Sequence, residues 1–150
     1  MDDTMINYFF YNTDAGSLVG APRPRFHSLI AQCFAVTGGP RSFGEQLGQL
    51  APGDILLMYE NGVGIVAVGE VLEHWDGRSH EDMLYYKPGE NCADEAGHER
   101  EYRIKVNWRG LSDNPISVQE IRERLGYTPR GAVRKIVKWR AEVEKMIGEF

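Results

Sequence analysis

The chain predicts an α+β fold: a small bent β-barrel over residues 6–110, flanked by helices, with a helical pair at about 115–148. Three observations carry this. Leu50-Ala51-Pro52-Gly53-Asp54-Ile55-Leu56-Leu57-Met58-Tyr59 is a turn feeding an apolar run, because Pro52 fixes φ and Gly53 permits a left-handed residue. Glu60-Asn61-Gly62 then leads into Val63-Gly64-Ile65-Val66-Ala67-Val68-Gly69-Glu70-Val71, and Asn-Gly between two such runs signals a hairpin. Residues 101–108 alternate strictly, with Tyr102, Ile104, Val106 and Trp108 on one face and Arg103, Lys105 and Asn107 on the other.

The remaining elements follow in chain order. Ile6-Asn7-Tyr8-Phe9-Phe10-Tyr11 reads as an opening strand, since aromatics suit a pleated, half-buried surface. Turn residues from Asn12 to Ser17 break it. Residues 18–27, with Pro22, Arg23, Pro24 and Arg25, read as irregular. Residues 27–36 fit either a short helix or a strand, and Thr37-Gly38-Gly39-Pro40 ends them. Phe43, Leu47 and Leu50 stand at helical spacing, so residues 41–50 read as a short helix. Gly62, Gly64 and Gly69 thin the hairpin, which marks a bulge, a bend or the close approach of a ligand. Residues 74–99 are the least regular and read as a long loop or lid. Ser117-Val118-Gln119-Glu120 is a capping box, with Ile116 and Ile121 placed for a hydrophobic staple. Gly126 is a helix stop, and Thr128-Pro129 opens a second helix bearing Val133, Ile136, Val137 and Met146.

A length of 150 residues suits a single domain, 1–150, with a real core. No apolar run approaches the roughly 20 residues of a membrane span. Met1-Asp2-Asp3-Thr4 is acidic and has no basic n-region, so a cytoplasmic location is expected. Cys33 and Cys92 suit a reduced compartment. The net charge of −5 excludes a globally basic nucleic-acid binder. Charge is uneven, however: residues 115–150 hold 8 Lys and Arg against 5 Asp and Glu. Arg130, Arg134 and Lys138 recur every four residues and form one stripe if that segment is helical. Such a stripe is either a solvated face or a row of phosphate contacts.

Known catalytic signatures are absent from the sequence: there is no Gly-x-Ser-x-Gly elbow, Walker loop or Rossmann glycine fingerprint. Asp76, His80, Glu81 and Asp82 supply nuclease residue types without a recognisable arrangement. His80, Cys92 and His98, with His74 nearby, could gather around zinc, but no Cys-x-x-Cys knuckle accompanies them. No catalytic residue, metal or cofactor is therefore expected. Tyr8, Phe10, Phe43, Tyr59, Trp75 and Trp108 fall in or beside the expected strands and turns. Trp75 stands out because Glu73-His74-Trp75-Asp76-Gly77 is where a strand yields to a polar loop. An indole there either plugs the barrel end or stacks on a planar ligand such as a nucleobase. Residues 116–137 also look like a helix-turn-helix with a basic second helix, or like a plain helical hairpin. Three further functions follow from these features. One is sequence-specific DNA binding through residues 116–137. Another is an enzyme or small-metabolite binder built on the histidine-rich loop 74–98. The third is a protein-interaction module, which predicts an apolar surface patch and no nucleic-acid affinity at low salt.

Taken in order, these segments resemble a known family. They are Tyr8-Phe9-Phe10-Tyr11-Asn12-Thr13, Gly38-Gly39-Pro40-Arg41, the Pro52-Gly53-Asp54 strand, the strand Val63 to Val71, and Tyr102-Arg103-Ile104-Lys105-Val106-Asn107-Trp108. The chain resembles the EVE domains of the PUA-like superfamily, relatives of the YTH domains, over roughly residues 6–110. The family's usual Ser-Glu-Pro turn is replaced here by Asn12-Thr13-Asp14. The resemblance implies a PUA-like bent barrel that holds a modified nucleotide in an aromatic pocket, a reader and not a catalyst.

On that reading Trp75 stacks on the base, and Trp108, Phe10 and Phe43 are further walls. Asn12 and Thr13 read a base edge, since amides and hydroxyls match donor and acceptor patterns. Arg41, Arg130, Arg134 and Lys138 hold phosphates. The expected partner is nucleic acid with a flipped or single-stranded modified base, alongside a separately encoded nuclease or other effector. No membrane partner is expected.

Overall fold

The computed structural model of the chain describes residues 6–12, 34–38, 41–60, 64–80, 95–98, 100–110, 116–126, 133–136 and 140–148. The elements are β1 (Tyr8–Asn12), β2 (Phe34–Gly38), α1 (Arg41–Leu47), β3 (Ile55–Glu60), β4 (Gly64–Val71), β5 (Glu101–Gly110), β6 (Ile116–Ser117), α2 (Val118–Leu125), β7 (Val133–Lys135) and α3 (Arg140–Gly148). Seven strands form one sheet in the order β2-β5-β4-β3-β1-β7, and β6 pairs with β4. The sheet is mixed: β1 runs parallel to β3, and the other pairings are antiparallel. It curls into a half-barrel, so the α+β expectation holds.

The curl separates two apolar cores. Phe9 and Tyr11 of β1 face inward with Leu56, Met58, Ile104, Val106 and Trp108. Phe10 faces outward with Leu57, Ile65, Ile121, Leu125, Ile136 and Val143. β1 is therefore buried on both faces, which explains a run of aromatics without alternation. A bulge between Met58 and Tyr59 pairs Met58 with Ala67 but Tyr59 with Ile65. The extra residue is Val66, so Ile65 joins the outer core and Ala67 the inner one.

Local chemistry fixes the element ends. Gly53 takes φ 95°, and the buried Asp54 carboxylate accepts the N–H of Ala51 at 2.9 Å and of Asn7 at 3.3 Å. The Pro-Gly-Asp turn thus ties itself to the start of β1. Ser117 Oγ accepts the Glu120 N–H at 3.1 Å and caps α2. Gly126, at φ 81°, donates its N–H to the Arg122 carbonyl and closes the helix.

The C-terminal segment corrects one expectation. Val133 to Lys135 is a strand on β1, not part of a helix, so the helix-turn-helix of residues 116–137 does not form. Val133 and Ile136 stand three apart, a spacing that also fits a helical stripe. In an extended chain that spacing puts them on opposite faces, and Val133 enters the inner core while Ile136 enters the outer one. Pairing also satisfies the edge of β1: the Ile136 N–H donates to the Tyr8 carbonyl at 2.8 Å. The two C-terminal helices, α2 and α3, are separated by this strand. No helix among the described residues is long and apolar enough to cross a membrane.

Candidate functional site

The half-barrel is closed by side chains, and the candidate site sits on that closure. α1 spans the gap between the two ends of the sheet. Its Gln46 Oε1 accepts the Val133 N–H at 2.9 Å, and the side-chain amide of Gln49, just past the helix, donates to the Val133 carbonyl at 3.3 Å. Both side chains occupy the edge of β7 that faces away from β1.

Trp75 packs against α1 and the inner core at this rim. Its ring meets Tyr102 edge to face, with centroids 6.0 Å apart and planes at 84°. The indole N–H donates to the Arg78 carbonyl at 3.3 Å. The Arg41 guanidinium stands 5.5 Å from the indole centroid, within cation–π range. Arg41 is exposed and, among the described residues, otherwise makes only a long contact, 3.5 Å, to the Gly77 carbonyl.

One glycine seats the Tyr102 ring. A Cβ on Gly44 would lie 2.6 Å from it, whereas one on Gly48 would make an ordinary 3.5 Å contact with Trp75. Tyr102, Gly44 and Gly48 were not singled out as site residues from the sequence. Their signal is a pair of glycines four apart, one on α1 and one just past its end, opposite an alternating aromatic strand.

Of the other expected base contacts, Trp108 and Phe10 are not gathered here. Trp108 is buried, stacks on Tyr11 at 6.0 Å and 26°, and donates its indole N–H to the Phe34 carbonyl at 2.8 Å. It lies deeper in the inner core. Phe10 lies on the opposite face of β1, in the outer core, and cannot share a pocket wall with Trp75 or Trp108. Asn12 ends β1 opposite Tyr59. Phe43 lies on α1. The side chains of both, and all of Thr13, lie outside the described residues.

The expected phosphate stripe is likewise divided. Arg134 is exposed on β7, opposite Phe10, while Arg41 begins α1. A strand replaces the helix that would have aligned Arg130, Arg134 and Lys138. Arg130 and Lys138 themselves lie outside the described residues.

The histidine-rich loop is anchored through its backbone. His80 donates its N–H to the Glu101 carbonyl at 2.7 Å and accepts the Glu101 N–H at 3.0 Å. The fully buried Glu101 carboxylate is held by Arg103 at 2.6 Å. Cys92 lies outside the described residues, and among those described no three His, Cys, Asp or Glu side chains could hold a metal.

Comparison with known proteins shows the fold class. The chain matches no family model and no curated protein. It is similar to the structure of a hypothetical protein from Leishmania major, with 15% identity and a TM-score of 0.59, covering 99% of this chain and 98% of that one. It is also similar to Rpa0253 from Rhodopseudomonas palustris, with 15% identity and a TM-score of 0.53, covering 96% and 94% of the two chains. At that identity the likeness concerns the fold alone: this is an α+β half-barrel protein.

Proposed function

We propose that the chain is a non-catalytic nucleic-acid-binding module of the PUA-like, EVE type, which recognises a modified base in DNA or RNA at the rim around Trp75. One observation carries the reading: a half-buried indole with an exposed guanidinium laid over its ring. A planar base stacks on such an indole in the volume Arg41 now fills. Displaced outward, the guanidinium meets the phosphate of the same nucleotide. Tyr102, itself seated against Gly44, holds the indole before ligand arrives, which lowers the ordering cost of stacking. The preference for a modified base rests on the EVE resemblance.

The test is binding of short single- and double-stranded oligonucleotides, each with and without a modified base, at low and moderate salt. Expected is discrimination of about tenfold, or roughly 1.4 kcal/mol, that is lost in Trp75→Ala. Arg41→Ala should weaken modified and unmodified strands alike and flatten the salt dependence. Equal binding of both strand types, or a Trp75→Ala protein that still discriminates, overturns the reading.

A further inference from the structure

We infer that the uncovered part of the sheet's outer face is a two-fold interface between two copies of this chain. α2 and α3 pack on one part of that face. Beside them lies an open groove of about 370 Å³. Its floor is Ile6, Tyr8, Ile55 and Val68, and its wall is Glu70, Asn107 and Arg109. Strand register sets this arrangement: Tyr8 pairs with Ile55, Ile55 with Glu70, Glu70 with Asn107, and Val68 with Arg109.

Three features of the patch suit a second copy. First, the exposed large hydrophobics among the described residues are Ile6, at 43%, and Leu72, at 49%. Ile6 lines the groove. Leu72 stands two residues past Glu70, and because Val71 between them is buried in the inner core, Leu72 projects to the outer face. A hole and a knob therefore lie side by side. Second, Glu70 and Arg109 are exposed charges of opposite sign, and neither side chain has a hydrogen bond or ion pair among the described residues. Third, a two-fold interface places the same patch on both sides, so it must be self-complementary. A patch with the acid Glu70, the bases Arg109 and Lys105, the latter exposed opposite Leu72, one knob and one hole meets that condition. In the dimer Glu70 faces the partner's Arg109, Arg109 faces the partner's Glu70, and each Leu72 enters the opposite groove. Trp75 packs on the inner core instead, so the interface leaves the rim site open.

The experiment is sedimentation velocity of the full chain from micromolar to millimolar concentration, with circular dichroism to show that each variant is folded. The wild type should pass from monomer to dimer. Arg109→Glu and Glu70→Arg should each raise the dimer dissociation constant about tenfold or more, because like charges then meet across the axis. An equimolar mixture of the two should recover dimer, since every facing pair is again opposite in sign. Leu72→Asp should also abolish the dimer and provides a second route if a charge variant misfolds. A wild type that stays monomeric at every concentration overturns the inference and leaves the groove to another protein or a small molecule. A dimer indifferent to all three substitutions, or a mixture that does not reassemble, overturns it as well.

Discussion

The Tyr11 hydroxyl bridges both polar groups of the Val36 backbone: it donates to the carbonyl at 2.7 Å and accepts the N–H at 2.8 Å. Tyr11 is on β1 and Val36 on β2, and three strands separate them in the sheet. A single side chain thus ties distant strands across the barrel interior, where water does not reach. Tyr11→Phe keeps the ring but leaves a buried donor and acceptor without that partner. It should lower stability by about 1–3 kcal/mol in urea unfolding. An unchanged midpoint would show that the bridge contributes nothing.

Gln46 and Gln49 perform a similar task for β7, supplying an acceptor and a donor to the Val133 backbone. Gln46→Leu removes this half-buried acceptor and should cost roughly 1 kcal/mol. The sharper readout is hydrogen exchange. The Val133 amide should exchange faster in the variant while amides of β4 keep their protection.

Gly69 lies beneath Trp108, and a Cβ there would stand 2.5 Å from both Trp108 and Val106. Gly69→Ala gains about 0.4–1 kcal/mol from a less flexible unfolded chain. Overpacking costs about 1–3 kcal/mol and outweighs it. The variant should melt earlier, with altered indole fluorescence as Trp108 shifts off Tyr11. A raised melting temperature would contradict this packing.

Burial pushes the Tyr59 phenol above its ordinary value of 10.0, and the Arg122 charge partly opposes the shift. Below that value the phenol is protonated in both states, so its contribution to stability is fully present. As pH rises past 10.0 the unfolded chain releases the proton before the folded one does, and stability falls. Tyr59→Phe should show a shallower loss of stability across that range in denaturant titrations. Equal slopes for the two proteins would rule out this contribution.

Local chemistry made much of the fold legible. Pro52-Gly53-Asp54, the alternation from Tyr102 to Trp108 and the Ser117 N-cap depend on neighbours within a few residues, and each forms as expected, although the Glu120 carboxylate of the expected capping box accepts from Arg124. The helix at residues 41–50 is likewise present, as α1. In the glycine-spaced strand the bulge falls at Val66 rather than at a glycine, and Gly69 is approached by the Trp108 ring rather than by a ligand. The sequence picks out Trp75 and Arg41 separately, as a stacking and a phosphate-binding residue, and only the crossing of α1 over the rim brings the guanidinium over the indole.

Sequence alone therefore determined the local elements and their caps, since turn preference and side-chain periodicity act over short stretches of chain. Tertiary structure decided what depends on distant partners. It placed Val133–Lys135 in the sheet, because the edge of β1 needed a partner and both faces there could be filled. It assigned Phe10 to the outer core and Tyr11 to the inner one, a choice hidden in an aromatic run that is buried on both sides. It brought Tyr102, Gly44 and Gly48 under and beside Trp75. These outcomes turn on which strands pair and which way the sheet curls, and no local pattern carries that information.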